Sequence, residues 1–330
     1  MKRTFWLWPG LAALAVAVWL AALLVGPTNL TAAEWRQGVF GGADDPLRIV
    51  VWELRLPRVV LGALVGAGLG LAGAAMQGFL RNPLAEPGVL GVSSGASLGA
   101  VAVFYSGAAA TLPWLLPTGA IAGAAVAAAL LVTLAGRDAS LTALVLAGMG
   151  LNALFGALTT LALNLSPNPF ATMDVLFWLM GSLSERSWTH VQLALPFVAL
   201  GGACLLATGP ALRALSLGED TARSLGVDLR RTRWLLVAGT ALVVGGSAAV
   251  AGAIGFVGLL VPHVLRPLVR ADPWRLLAAS AAGGAIFLPL ADLVVRALKT
   301  GPELRLGVVT ALAGAPFFLL LLVKERRRWS

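Results

Sequence analysis

The stretch RLPRVVLGALVGAGLGLAGAAMQGFLRNPLAEPGVLGVSSGASLGAV, residues 55–101, decides what kind of molecule this is. Between Arg58 and Arg81 it carries no charge, and the run is long enough for a helix to cross a bilayer, which takes about 20 apolar residues. A polar turn around Asn82-Pro83 follows, and then a second apolar run. The rest of the chain has the same texture: 58% of its residues are hydrophobic, 12% are charged, 39 are glycine, and its mean hydropathy is +0.88. A soluble domain carries about 25% charged residues. Half that density cannot cover a wetted surface, so the sequence reads as an all-helical polytopic membrane protein. Abundant small residues suit it, because they let membrane helices approach where lipid provides no hydrophobic drive between them.

Outward from that stretch, apolar runs predict ten spans: 5–25, 58–80, 92–107, 114–135, 141–163, 191–208, 234–254, 257–269, 274–297 and 306–323. The eighth is short and interrupted by Pro262. The first follows a basic start like that of a signal peptide, but it is too long for a typical h-region and is read as a retained span. An even number of spans puts both termini on one side. With that side cytoplasmic, 16 of the 24 Lys and Arg lie inside, as the positive-inside rule expects. The net charge of +9 is therefore read as membrane-flanking, not as a nucleic-acid footprint.

One stretch breaks the texture. GEDTARSLGVDLRRTRW, residues 218–234, has seven charged residues in seventeen. Glu219 and Asp220 sit where acids favour a helix N-terminus. Gly226 can end a short helix and Asp228 can cap the next. Ala222, Leu225 and Leu229 form a sparse apolar stripe. A short soluble-looking helix at the inner face reads as a docking surface for a partner, or as a solvated interhelical loop.

Several chemistries lack their residues. No G-x-x-x-x-G-K-[ST] occurs, and the three lysines stand at 2, 299 and 324, so the chain hydrolyses no ATP through a P-loop. There is no H-E-x-x-H and no G-x-S-x-G, and the two histidines, His190 and His263, are far apart. SSGAS (93–97) has no evident His or Asp partner. The single cysteine, Cys204, lies in an apolar run and is read as packing. Asp292 is the clearest ionisable residue inside a span, with Arg296 four residues on, where the two can pair. Few other carboxylates lie within spans, which argues against a proton-coupled transporter. AGAAMQGFLRNP (72–83) and AGAIGFVGLLVP (251–262) echo each other at an offset of 179 and are read as crossing in opposite directions, as inverted repeats do.

Residues 55–101 closely resemble the FecCD family, the permease subunits of ABC importers for ferric siderophores, haem and cobalamin. The resemblance continues through FWLMGSL (177–183), GEDTARSLGV (218–227), GFVGLLVPHVLR (255–266) and LGVVTALAGAPFFLLLL (306–322). Glu86 stands where an Asp is common after NPLA.

The resemblance implies a type II importer permease with an inverted-repeat core, one domain over residues 1–330, acting as a homodimer in the bacterial inner membrane. Two partner ATPases would bind the ATP and magnesium, and a periplasmic or lipoprotein-type binding protein would deliver cargo. No cofactor or metal is expected in this chain. The segment at about 210–233 would be the coupling loop, with Glu219, Asp220, Ala222, Arg223, Leu225 and Gly226 meeting the ATPase. Arg55, Arg58 and Arg296 would dock the binding protein, because a guanidinium fork grips carboxylates bidentately. Asn82 and Leu84, with Ser140 and Thr142, would form a cytoplasmic gate. Spans 141–163 and 306–323 and segment 170–183 would wall the path. An iron chelate is the expected cargo, with cobalamin the alternative and a proton-coupled secondary transporter the more distant one.

Overall fold

The computed structural model describes the chain except residues 1, 27, 29, 43, 108–111, 113, 137–140, 167–168, 299–303 and 330. In chain order the helices are α1 (Lys2–Leu24), α2 (Ala32–Phe40), α3 (Pro46–Ile49), a π-helical turn (Val50–Arg55), α4 (Leu56–Phe79), a 3-10 turn (Pro87–Leu90), α5 (Val92–Tyr105) and α6 (Leu115–Ala135). There follow α7 (Leu141–Asn164), α8 (Pro169–Leu179), α9 (Trp188–Ala207), α10 (Gly209–Leu215), α11 (Glu219–Ser224), α12 (Leu229–Ala251), α13 (Val257–Leu265), α14 (Pro273–Ala297) and α15 (Leu306–Trp329).

Every predicted span overlaps one of these helices. Among the described residues seven are long and apolar enough to cross a membrane, and α5 and the Leu306–Leu320 part of α15 are shorter apolar stretches. The eighth predicted span is the least regular. α13 has nine residues, a length of about 14 Å at 1.5 Å per residue, against a hydrocarbon core of about 30 Å. It does not cross by itself.

Two helices form the centre. The span through α4 is 83% buried within the chain and α12 is 78% buried, against 11% for α1. Glycines set that arrangement. A Cβ on Gly66 would lie 2.1 Å from the Gly284 carbonyl oxygen, and one on Gly70 would lie 2.3 Å from that of Ser280. Backbone meets backbone along the α4–α14 seam, which runs antiparallel. α5 and α6 approach in the same way through Gly95 and Gly99 against Gly119 and Gly123. Such contact supplies the dispersion energy that lipid-immersed helices need to associate.

The helix ends follow local chemistry. Thr31 and Glu34 close a capping box on α2, Asp45 caps α3, and Asp272 caps α14 ahead of Pro273. The echo between 72–83 and 251–262 is one of composition and not of shape. Residues 72–79 continue α4, whereas 252–256 break the chain between α12 and α13. The two stretches lie side by side, with Gly73 against Gly258. Both α4 and α13 lead toward the end of the bundle that carries Arg213 and Asp272, so these two stretches are not an inverted pair.

Candidate functional site

The polar stretch builds a small platform at that end. α11 begins at Glu219, as the acids predict, and ends in a Schellman motif. The Val227 amide donates to the Ala222 carbonyl and the Gly226 amide to that of Arg223, with Gly226 at φ +81°. Asp228 then caps α12 by accepting from the Arg231 amide at 2.9 Å. Ala222 is fully buried, so the helix is seated by its small side, while Leu225 is 63% exposed. Arg223 pairs with Glu219 at 3.3 Å and with Asp220 at 3.1 Å. These ion pairs are exposed and are worth little as stability. The platform is mounted through α10: Leu212 and Leu215 are buried, Gly209 lies against the Trp274 ring, and Arg213 grips Asp272 at 2.7 Å. Burial works to raise the Asp272 carboxyl, but its hydrogen bonds from Arg213 and the Arg275 amide and the charges of both hold it below the usual carboxylate range. A push on α11 therefore reaches α4 and the start of α14 through α10.

At the opposite end the structure does bring Arg55, Arg58 and Arg296 together, but it gives them work inside the chain. Arg58 holds Asp292 with Nε–Oδ2 at 2.9 Å and Nη2–Oδ1 at 2.8 Å, and Arg296 reaches the same carboxylate at 3.1 Å. Arg55 donates to the carbonyls of Leu23 and Leu24, each at 2.8 Å, and to that of Thr28 at 2.5 Å. Arg296 donates to the carbonyls of Ala22 at 2.8 Å and Val25 at 2.7 Å. The final carbonyls of an α-helix have no intrahelical partner. Two guanidiniums thus satisfy carbonyls 22–25 at the end of α1, where the helix dipole also favours cations. Arg55 is 5% exposed, and the Arg296 and Arg58 side chains are 4% and 13% exposed. Guanidiniums so buried present no free fork to a binding protein in this state.

The loop between α4 and α5 carries the expected gate residues Asn82 and Leu84. Asn82 is exposed and accepts from the Leu84 amide at 2.9 Å, an Asx turn. Leu84 is half-buried. Thr142 is exposed at the start of α7, and Ser140 lies outside the described residues. The loop's far end rests on α7, where a Cβ on Gly148 would lie 2.5 Å from the Val89 carbonyl. Between this loop, α7 and the 252–256 break lies a cavity of about 480 Å³, lined by Glu86, Ser93, Met149, Asn152, Ile254 and Gly258 among others. Asn152 also meets Ser94. The expected wall helices carry bare apolar faces, with Leu146 and Met149 on α7, Phe177 on α8 and Leu312 on α15 all exposed.

Two polar links around α13 escaped the sequence reading. Pro262 has no N–H, which leaves the Gly258 carbonyl without its helical donor. The Gln77 side chain of α4 donates to that carbonyl at 3.3 Å and to Leu259's at 3.2 Å, and Arg266 donates to the Gln77 oxygen at 2.8 Å. Gln77 as a lone polar residue in a long apolar run was a signal that sequence could offer. The second link joins Glu86 to the Phe256 amide, 170 residues away.

A profile of the FecCD transport family matches residues 14–324. The chain is 43% identical over 302 residues to an uncharacterized ABC transporter permease protein, YvrB, of Bacillus subtilis, covering 89% of this chain and 85% of that one. It is 44% identical over 287 residues to the cobalamin import system permease protein BtuC of Halobacterium salinarum, covering 85% and 75%. It is 39% identical over 320 residues to the vitamin B12 import system permease protein BtuC of Citrobacter koseri, covering 96% and 94%. Among solved structures, one assigned to a metal-chelate type ABC transporter in an inward-facing conformation superposes with a TM-score of 0.86 at 33% identity, covering 98% of this chain and 99% of that one.

Proposed function

Because this chain belongs to the FecCD transport family, and is therefore a multi-pass ABC importer permease, we propose that it carries a bulky metal chelate across the bacterial inner membrane as one half of a homodimer. The observation that carries this reading is the α10–α11 platform. It is a short polar helix with buried Ala222 and exposed Leu225, set on α4 and α14, and it offers a partner a surface whose movement the bundle must follow. The α11 end is then cytoplasmic, as are both termini, and two ATPase subunits sit on Glu219, Asp220, Ala222, Arg223, Leu225 and Gly226. ATP and magnesium belong to those subunits, and this chain makes no covalent change to its cargo.

The bare faces of α7, α8 and α15 suit a path shared with the second copy, with Asn82, Leu84, Ser140 and Thr142 narrowing its inner mouth. Mostly apolar walls let a large ligand pass without sticking. A substrate-binding protein delivers the cargo outside. Docking by Arg55, Arg58 and Arg296 requires some of them to leave the carbonyls and the carboxylate they now hold, so delivery and the seating of α1 are coupled in this reading.

For the cargo, the sequence puts an iron chelate first. The two relatives named for cobalamin and vitamin B12 import, at 44% and 39% identity, favour a corrinoid over it. The test is uptake of labelled cobalamin, ferric siderophore and haem in cells with and without the gene, with vanadate and separately with a protonophore. Gene-dependent, vanadate-sensitive uptake of cobalamin is expected. The same result with an iron chelate replaces the corrinoid. Uptake that survives vanadate and stops with the protonophore overturns the importer reading.

A further inference from the structure

The break between α12 and α13 has an unusual lining. Phe256 stands at the start of α13 with φ +66°, a left-handed conformation that bulky side chains rarely take. Its amide is one of the orphan donors of a helix start. No residue nearby in sequence caps it. The acceptor is the Glu86 carboxylate from the α4–α5 loop, at 2.6 Å. Glu86 lies four residues beyond Asn82 and two beyond Leu84.

A second contact holds the same two pieces together. A Cβ on Gly258 would lie 2.7 Å from Pro87, so the loop rests directly on the first turn of α13. The Gln77 bridge ties the root of the loop to that turn as well. On its far side, Phe256 packs into space left by Gly314 of α15, and His263 meets Phe317 edge-on. The loop, α13 and α15 are thus joined in series, and the Glu86–Phe256 hydrogen bond is the link between the loop and the start of α13.

We propose that Glu86 is a positioning residue that latches the 82–91 loop to the start of α13, so that the loop stays across the inner mouth until α13 itself moves. The proposal rests on the importer reading and on the place of Asn82 and Leu84 in it. A hydrogen bond to the carboxylate is what the latch needs, so an amide that can still accept from Phe256 preserves much of it. Glu86→Gln and Glu86→Asp are milder changes than Glu86→Ala.

The test uses the full-length chain in vesicles of phosphatidylethanolamine and phosphatidylglycerol with trapped carboxyfluorescein. Dye leak is read beside amide hydrogen exchange of the peptide containing Phe256. Glu86→Ala is expected to speed exchange at Phe256 roughly tenfold or more, as loss of a charge-assisted bond would, and to raise leak several-fold. Glu86→Gln is expected to change both readings less. A purely structural role predicts faster exchange throughout the chain, without a leak that follows Phe256. If the alanine chain does not reach the membrane, the same pair of readings on Glu86→Asp and Glu86→Gln decides. Leak and Phe256 exchange rising together sustain the latch. Leak without Phe256 exchange, Phe256 exchange without leak, or no change in any variant overturns it. Uptake by the unaltered chain is the separate control for the importer reading.

Discussion

The two ends of the bundle use the same residue type in opposite ways. At the α1 end, Arg55, Arg58 and Arg296 are turned inward onto five carbonyls between residues 22 and 28 and onto one carboxylate. At the α11 end, Arg213 and Arg223 are more than half exposed, and their partners are surface carboxylates. A buried guanidinium fixes its neighbours, because leaving a charge uncompensated out of water is costly. An exposed one fixes little, because water and salt screen it. Arg55 and Arg296 hold α1 against the bundle, Arg58 ties α4 to α14, and the arginines of the α11 end leave a surface for something else.

That contrast can be broken most sharply at Asp292. Replacing it with Ala leaves Arg58 and Arg296 without their shared carboxylate, and loss of one partner of a buried pair costs about 3–5 kcal/mol. A large drop in the thermal midpoint of the purified chain is expected, and an unchanged midpoint would remove the buried-network account. Arg296→Ala should cost less, about 1–3 kcal/mol, since the carbonyls of Ala22 and Val25 lose a charged donor but can admit water. Its signature is early protease cleavage near residues 26–31, which an intact α1 seat prevents.

Glu219→Ala with Arg223→Ala tests the other end. Stability should change by less than about 1 kcal/mol, because the pair is exposed, while ATP hydrolysis by the assembled importer loses its link to uptake. Normal uptake by this double variant would sink the coupling role of α11. The smallest effect belongs to Arg213 and Asp272. A double-mutant cycle with alanine should give a coupling of about 0–1 kcal/mol at neutral pH. The Asp272 carboxyl is held below its ordinary value in the fold. Its contribution is therefore present above the unfolded pKa and fades as pH falls through the lower folded one. A coupling that instead fades on the alkaline side would contradict this pair.

Glu219, Gly226 and Asp228 show what short-range reading can reach. A helix start, a Schellman glycine and an N-cap each depend on residues within one turn, and all three stand where the sequence puts them. The spans were legible for a similar reason, since hydropathy is a property of a local window. α13 was not. The run 257–269, interrupted by Pro262, reads as a short eighth span, and only the seat of α13 against Gly73 and Gln77 shows that its helix is nine residues long and packed inside the chain.

The sequence by itself determined that this protein lies in a membrane, where its helices run, and that one short polar helix interrupts them. It also determined the family, because the motifs are local strings in a fixed order. Only the tertiary structure decided which charges are buried with which: Arg58 with Asp292 across 234 residues, and Glu86 with Phe256 across 170. Those pairings depend on which helix faces touch. In a chain this rich in glycine many faces are smooth enough to meet, and the backbone contact that forms is set by the whole bundle at once.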